Sequence, residues 1–204
     1  MRWFPAAALE YVPTLVDSSG WMPVGSVLAP EASQVELEIG AQFARAARAG
    51  FAPTHMDSHQ GALLYGGAEL FNALRRVAKR ECVAIPVPSS LFFRFPYLAG
   101  ALDDGQPALA DLVSIPPTIP PGGWGAFYED VFNTLRPGVT LLLLHLGEDT
   151  PVERIFYRDH TDYNAAWRAR DAQQISSGAI AAMAAARGVE IVDWGDLLKV
   201  SRIC

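Results

Sequence analysis

Two imidazoles and a carboxylate fall within five residues at His55, Asp57 and His59, in the stretch Thr54-His55-Met56-Asp57-Ser58-His59-Gln60-Gly61. In an extended chain alternate side chains share a face, so this spacing aims all three toward one side. Imidazole nitrogen and carboxylate oxygen at short range are the donors that a divalent cation such as zinc takes. A histidine pair hydrogen-bonded to a carboxylate for purely structural reasons is the competing account, and the shared face requires the chain to stay extended through Ser58. His145 follows the apolar run Leu141-Leu142-Leu143-Leu144 and precedes Leu146-Gly147-Glu148-Asp149. An imidazole at the end of a buried strand must be hydrogen-bonded or employed in chemistry, because unpaired burial of a polar group is costly. In parallel α/β folds the C-terminal strand ends carry the active site. Histidines at the ends of separate strands therefore point to one shared site. His160, in Arg158-Asp159-His160-Thr161-Asp162, reads instead as an exposed loop residue beside Asp159 or Thr161 as helix caps.

The elements that must position these groups alternate along the chain. Residues 1–30 read as irregular, interrupted by Pro5, Pro13, Gly20, Pro23, Gly25 and Pro30. Glu31 to Ala49 is amphipathic, with Val35, Ile39 and Phe43 inward and Glu36, Glu38, Gln42 and Arg45 elsewhere. Gly50 stops it, and Phe51 to Asp57 reads as a short strand ending in the polar cluster. Ala68 to Arg80 is a helix with Leu70, Leu74 and Val77 inward, and Val83 to Pro86 a short strand. Pro88 to Leu109 is aromatic-rich loop, Leu112 to Ile115 a strand, and Ile115 to Gly123 a stiff proline-rich loop. Trp124 to Leu135 is a helix, Val139 to Leu144 a fully buried strand, and Thr161 to Arg187 one or two helices broken at Ser176-Ser177-Gly178. Val189 to Trp194 reads as a last strand, before a short helix at Gly195 to Val200. Strands separated by helices indicate βα units and a mainly parallel sheet.

Composition removes several classes. Half of the 204 residues are apolar and 19% are charged, unlike the low hydrophobicity and high net charge of disordered chains. The length suits one domain, somewhat below the roughly 250 residues of a complete eight-stranded α/β barrel. The net charge is −6 and the basic residues are scattered, whereas a nucleic-acid partner would call for a cationic stripe. No run approaches the roughly 20 apolar residues of a membrane span. The N-terminal Met1-Arg2-Trp3-Phe4-Pro5 has no apolar signal region. Cys82 and Cys204 cannot make a disulfide framework and suit a reducing compartment. The expectation is a cytoplasmic protein with no nucleic-acid or membrane partner.

The segment Pro53-Thr54-His55-Met56-Asp57-Ser58-His59 resembles the P-T-H-x-D-S-H signature of the YdjC-like carbohydrate deacetylases. Similar too are the acidic helix before it, the H-x-G strand end at His145, and the Arg168 to Asp171 spacing before Val189-Glu190-Ile191-Val192-Asp193-Trp194. Val12-Pro13-Thr14-Leu15-Val16-Asp17-Ser18-Ser19-Gly20-Trp21 resembles that family's substrate-side loop, so the likeness spans nearly the whole chain in the family's order. The resemblance implies an α/β fold of the (β/α) barrel type, with residues 1–204 as a single domain. It implies hydrolysis of N-acetyl groups on amino sugars or oligosaccharides with a divalent metal, magnesium or zinc. His59 would be a metal ligand with His55 beside it, His55 and Asp57 lining the site and orienting His59. His145 would assist as acid or oxyanion partner. Trp124 and Arg170 are candidate substrate-binding residues.

The family's first strand bears an Asp-Asp pair and its second another histidine ligand, and the present sequence starts after both. Glu10 and Asp17 lack that context. Leu146 stands where the family usually has proline, and Gln60 where relatives often show methionine. The expectation is therefore a barrel incomplete at its N-terminus, with an open sheet edge that invites pairing with another chain, including a homo-oligomer. A start lying upstream, an oligomer supplying the missing part and a decayed relative are all consistent with it. Two rival functions stand beside the deacetylase. One is a non-catalytic carbohydrate binder using Trp124, Phe127, Tyr128 and Phe132, or Phe92, Phe93, Phe95 and Tyr97. The other is a metal-dependent hydrolase of a different substrate such as a phosphoester.

Overall fold

The computed structural model describes residues 3–23, 29–160 and 162–204; Met1, Arg2, Gly25 and Thr161, all invoked above, lie outside the described residues. In chain order the helices and strands are α1 (Ala32–Arg48), α2 (Ala62–Tyr65), α3 (Ala68–Glu81), α4 (Gly100–Asp103), β1 (Leu109–Ser114), α5 (Trp124–Thr134), β2 (Val139–Leu143), α6 (Pro151–Phe156), α7 (Ala165–Ser176), α8 (Ala179–Ala186) and α9 (Trp194–Val200). They sort into two compact units, one of residues 1–108 with 193–204 and one of residues 109–192.

In the first unit α1 and α3 enclose a core of Met56, Leu64, Phe71, Leu74, Val77, Ala78, Val83, Ile85, Val87 and Leu98. The 3.6 period places α3 correctly, although Phe71 and Ala73 are buried and Leu70 only half so. Glu38 departs from the expected polar face of α1. It is 4% exposed, and its carboxylate accepts from the Ala6 and Ala7 N–H groups at 2.9 Å each and from Gln42 Nε2 at 2.7 Å. A buried carboxylate is tolerable with its lone pairs filled, and here it pins the N-terminal segment to α1.

The strands expected at Phe51–Asp57 and Val83–Pro86 shrink to one parallel bridge, His55 with Ala84. Ala84 N donates to Thr54 O at 3.0 Å and Met56 N to Ala84 O at 2.9 Å. The opposite edge of this buried segment meets a side chain instead of a strand. Gln106, 6% exposed, accepts from Ile85 N at 2.9 Å and donates to Val83 O at 3.3 Å. The glutamine amide copies a peptide and ends the pairing there.

In the second unit β1 and β2 run parallel, with Leu112 opposite Leu141 and Ser114 opposite Leu143. Helices α5, α7 and α8 pack a core of Ile115, Trp124, Tyr128, Phe132, Trp167, Ile180 and Ala184. Every residue of β2 is half-buried, which corrects the fully buried strand expected there. Residues 189–193 form no strand, and Ile191 and Val192 are exposed; an apolar run needs a neighbour with free backbone groups to become one. Helix α7 is capped by Asn164, whose side chain accepts from Trp167 N at 3.0 Å, in place of Asp159. The architecture is thus mixed α/β, mainly helical, and its sheet among the described residues has the two parallel strands β1 and β2. No closed barrel is seen among the described residues.

Candidate active site

The histidine motif belongs to the first unit. Its chain is held extended by the bridge to Ala84, and burial alternates along it: Met56 and Ser58 point inward, while His55, Asp57 and His59 are exposed. Met56 packs in the core, and Ser58 Oγ accepts from Leu63 N at 2.8 Å. Extension therefore lasts through Ser58, as the shared face requires. At His59 the chain turns into a short 3-10 segment through two left-handed residues, Gln60 (φ 56°) and Gly61 (φ 67°). A Cβ on Gly61 would meet the Tyr65 ring at 2.3 Å, so the turn demands glycine there. Gln60 holds that conformation without the freedom of glycine, and such backbone strain clusters at functional sites.

Thr54 and Trp194 both meet the ring of His55. Thr54 Oγ1 lies 3.1 Å from Nδ1, and Trp194 at the start of α9 stacks on the ring with centroids 4.8 Å apart and planes 17° from parallel. Burial lowers the His55 pKa from its ordinary 6.5, against the opposing pull of the Asp57 carboxylate. The neutral imidazole so favoured is the form that binds metals. Among the described residues no three His, Cys, Asp or Glu side chains gather closely enough to hold a metal ion. The donors at positions 55, 57 and 59 suit a divalent cation in type and in facing solvent together; a complete shell requires further oxygen atoms from water or substrate.

His145 belongs to the second unit, two residues beyond β2. Its backbone N–H donates to Asp171 Oδ2 at 2.6 Å, and Tyr128 donates its hydroxyl to Asp171 Oδ1. Asp171 is fully buried. It ties the strand end to α5 and α7, and fixes where His145 leaves the sheet. Burial first, and then the hydrogen bond to and charge of Asp171, raise the Tyr128 pKa far above its ordinary 10. The His145 ring meets Trp167 edge-on at 5.3 Å and lies 5.9 Å from Tyr163. Trp167 in turn packs edge-on against Trp124 at 5.9 Å.

Of the candidate substrate residues, Arg170 stands with its guanidinium 5.4 Å over the Trp124 ring. Trp124 is only 3% exposed, so the sugar-stacking platform expected there is closed by the protein's own packing. Phe132 and Tyr128 are buried likewise, whereas Phe93 is almost wholly exposed at 99%. His160 is exposed, as its polar surroundings predict. Sequence reasoning missed Asp171 and Trp194 as partners of the motif histidines. For Asp171 a signal existed, a carboxylate four residues after Trp167 on the apolar face of α7. For Trp194 there was none, because its contact spans 139 positions between His55 and Trp194.

The model of the YdjC-like protein family matches residues 1–186. No curated protein is significantly similar in sequence. Among solved structures, a crystal structure from Enterococcus faecalis V583 described as a candidate cellobiose-phosphate cleavage protein superposes with a TM-score of 0.77, covering 95% of this chain and 72% of that one at 18% identity.

Proposed function

The chain belongs to the YdjC-like protein family, and from that premise we propose that it is a metal-dependent hydrolase removing N-acetyl groups from amino sugars or their oligosaccharides. The observation that carries the reading is the outward alternation of His55, Asp57 and His59 on an extended segment that breaks into a left-handed turn. His59 and His55 are the proposed ligands for magnesium or zinc. A bound divalent cation supplies carbonyl polarisation and lowers the pKa of water from about 15.7 toward about 7. Asp57, whose carboxylate faces solvent, is the proposed base for the attacking water, and His145 the proposed acid for the departing amine. Arg170, lying over Trp124, is the proposed sugar contact, through its guanidinium rather than the indole face.

The family's (β/α) barrel as a single domain, and a homo-oligomer, belong to the same proposal. The cellobiose phosphate named in the description of the Enterococcus faecalis protein is a carbohydrate without an acetamido group, and it agrees with this reading only in being a sugar. No helix among the described residues is long and apolar enough to cross a membrane. The cytoplasmic location loses the support of the cysteines, since Cys82 and Cys204 are joined in a disulfide and such bonds persist mainly in oxidising compartments.

The test is acetate release from N-acetylglucosamine oligomers by metal-loaded protein, with a chelated control. We expect release that the chelator abolishes and that Asp57→Asn and His145→Gln each reduce by about 10²–10⁴-fold, the usual contribution of an acid or base. Phosphate release from sugar phosphates without acetate release would replace this reading with the phosphoesterase one.

A further inference from the structure

Residues 193–204 are remote in sequence from the histidine motif, yet they belong to the same compact unit. Helix α9 has seven residues and buries none of them, far short of the roughly 12–15 that an isolated helix needs. Trp194, Leu197 and Leu198 are half-buried, and anchors at both ends add to that packing. At the start, Asp193 accepts from Asp196 N at 2.9 Å in a reciprocal capping box. After the helix, Arg202 N donates to Gly105 O at 3.0 Å and Ile203 is buried. Cys204 then closes a disulfide with Cys82, 122 positions earlier, at the C-terminal end of α3. Cys82 leads directly into Val83-Ala84, and Ala84 is the residue bridged to His55. One covalent bond thus joins the segment after α9 to the backbone that supports the motif, and Trp194 lies flat against the His55 ring between these anchors.

We propose that the Cys82–Cys204 disulfide is a redox latch that holds Trp194 as a positioning residue against His55. A dithiol reductant opens it: the sulfur–sulfur bond takes two electrons and two protons to give two thiols, and the dithiol becomes a disulfide. With the bond cut, α9 loses its covalent anchor and the ring of His55 is freed from its stack. The consequence for metal binding rests on the proposed function above; the latch itself does not.

The primary readout is the NMR shift of the His55 ring protons in metal-free protein. Stacking on an indole moves them upfield, and we expect that displacement in the oxidised chain. It should be lost on dithiol reduction, in Cys82→Ser/Cys204→Ser and in Trp194→Ala, and kept in Trp194→Phe under oxidising conditions. Reduction of wild type serves as the test if the serine variant fails to fold. Free thiols in protein prepared without reductant, or an unchanged His55 shift after reduction, overturns the latch. Zinc affinity is then compared between oxidised wild type and the double serine variant, because free thiols would bind zinc themselves. The expected loss is about tenfold, the lower end of what removing an orienting partner does to a metal site. Absence of zinc binding by wild type counts against the hydrolase reading alone, since the ring shift reports the latch without metal.

Discussion

Asp171, on α7, joins α5 and the end of β2 through one side chain. It is fully buried, and its two oxygens take the Tyr128 hydroxyl and the His145 backbone N–H. Asp171→Ala strands the buried Tyr128 hydroxyl, at a cost of about 1–3 kcal/mol, together with the half-buried His145 N–H. Tyr128→Phe removes one donor and should cost less. Because the two residues share a bond, their effects should fall short of additive in a double-mutant cycle, measured by urea unfolding. Equal and fully additive losses would separate them. The pattern H-x-D-x-H was legible because its chemistry lies in one short segment whose period of two survives folding. Asp171 and Trp194 were not, since a residue's partner across the fold leaves no mark on local spacing. Trp124 shows the opposite failure: an aromatic suited to sugar stacking by type is buried by its surroundings.

At the scale of elements, helices were easier to read than strands. The apolar period of α1, α3 and α5 needs no partner to be recognised, and the break at Gly178, with φ 75°, falls within the expected Ser-Ser-Gly. Strands depend on neighbours. Val83–Pro86 is buried and extended, yet Gln106 occupies its free edge, and residues 189–193 have the composition of a strand without its pairing. Helix α6 was overlooked although Thr150 caps it, accepting from Glu153 N at 3.2 Å, with Pro151 in the first position. The short α9 invites a pH experiment. The hydrogen bond from Lys199 first, and then the Asp193 backbone, hold the Asp196 carboxyl below its ordinary 3.8. Its contribution is complete above 3.8 and lost as pH falls through the lowered folded value, because the unfolded chain binds the proton first. Amide exchange in α9 should accelerate over that acid range in wild type. In Asp196→Asn this added pH dependence should vanish; an identical profile in the variant would exclude the pair as its source.

At the scale of the molecule, the chain forms two compact units, with residues 109–192 inserted between two segments of the first. The motif histidines 55 and 59 sit in the first unit, and His145 in the second, fixed by the Asp171 bond. The parallel strands and helical layers agree with the α/β class that alternation predicts, while the barrel drawn from family likeness is not visible in a sheet of β1 and β2. The disulfide was misjudged because two cysteines 122 positions apart give no hint of proximity. What the account needs most is that the outward imidazoles bind a cation. The direct measurement is calorimetric titration of oxidised protein with zinc, comparing wild type, His59→Ala and His160→Ala. Wild type and His160→Ala should bind alike, and His59→Ala should lose at least about 10–100-fold in affinity, the loss that an outer-shell partner alone can bring. Unchanged affinity in His59→Ala would contradict the assignment of the site.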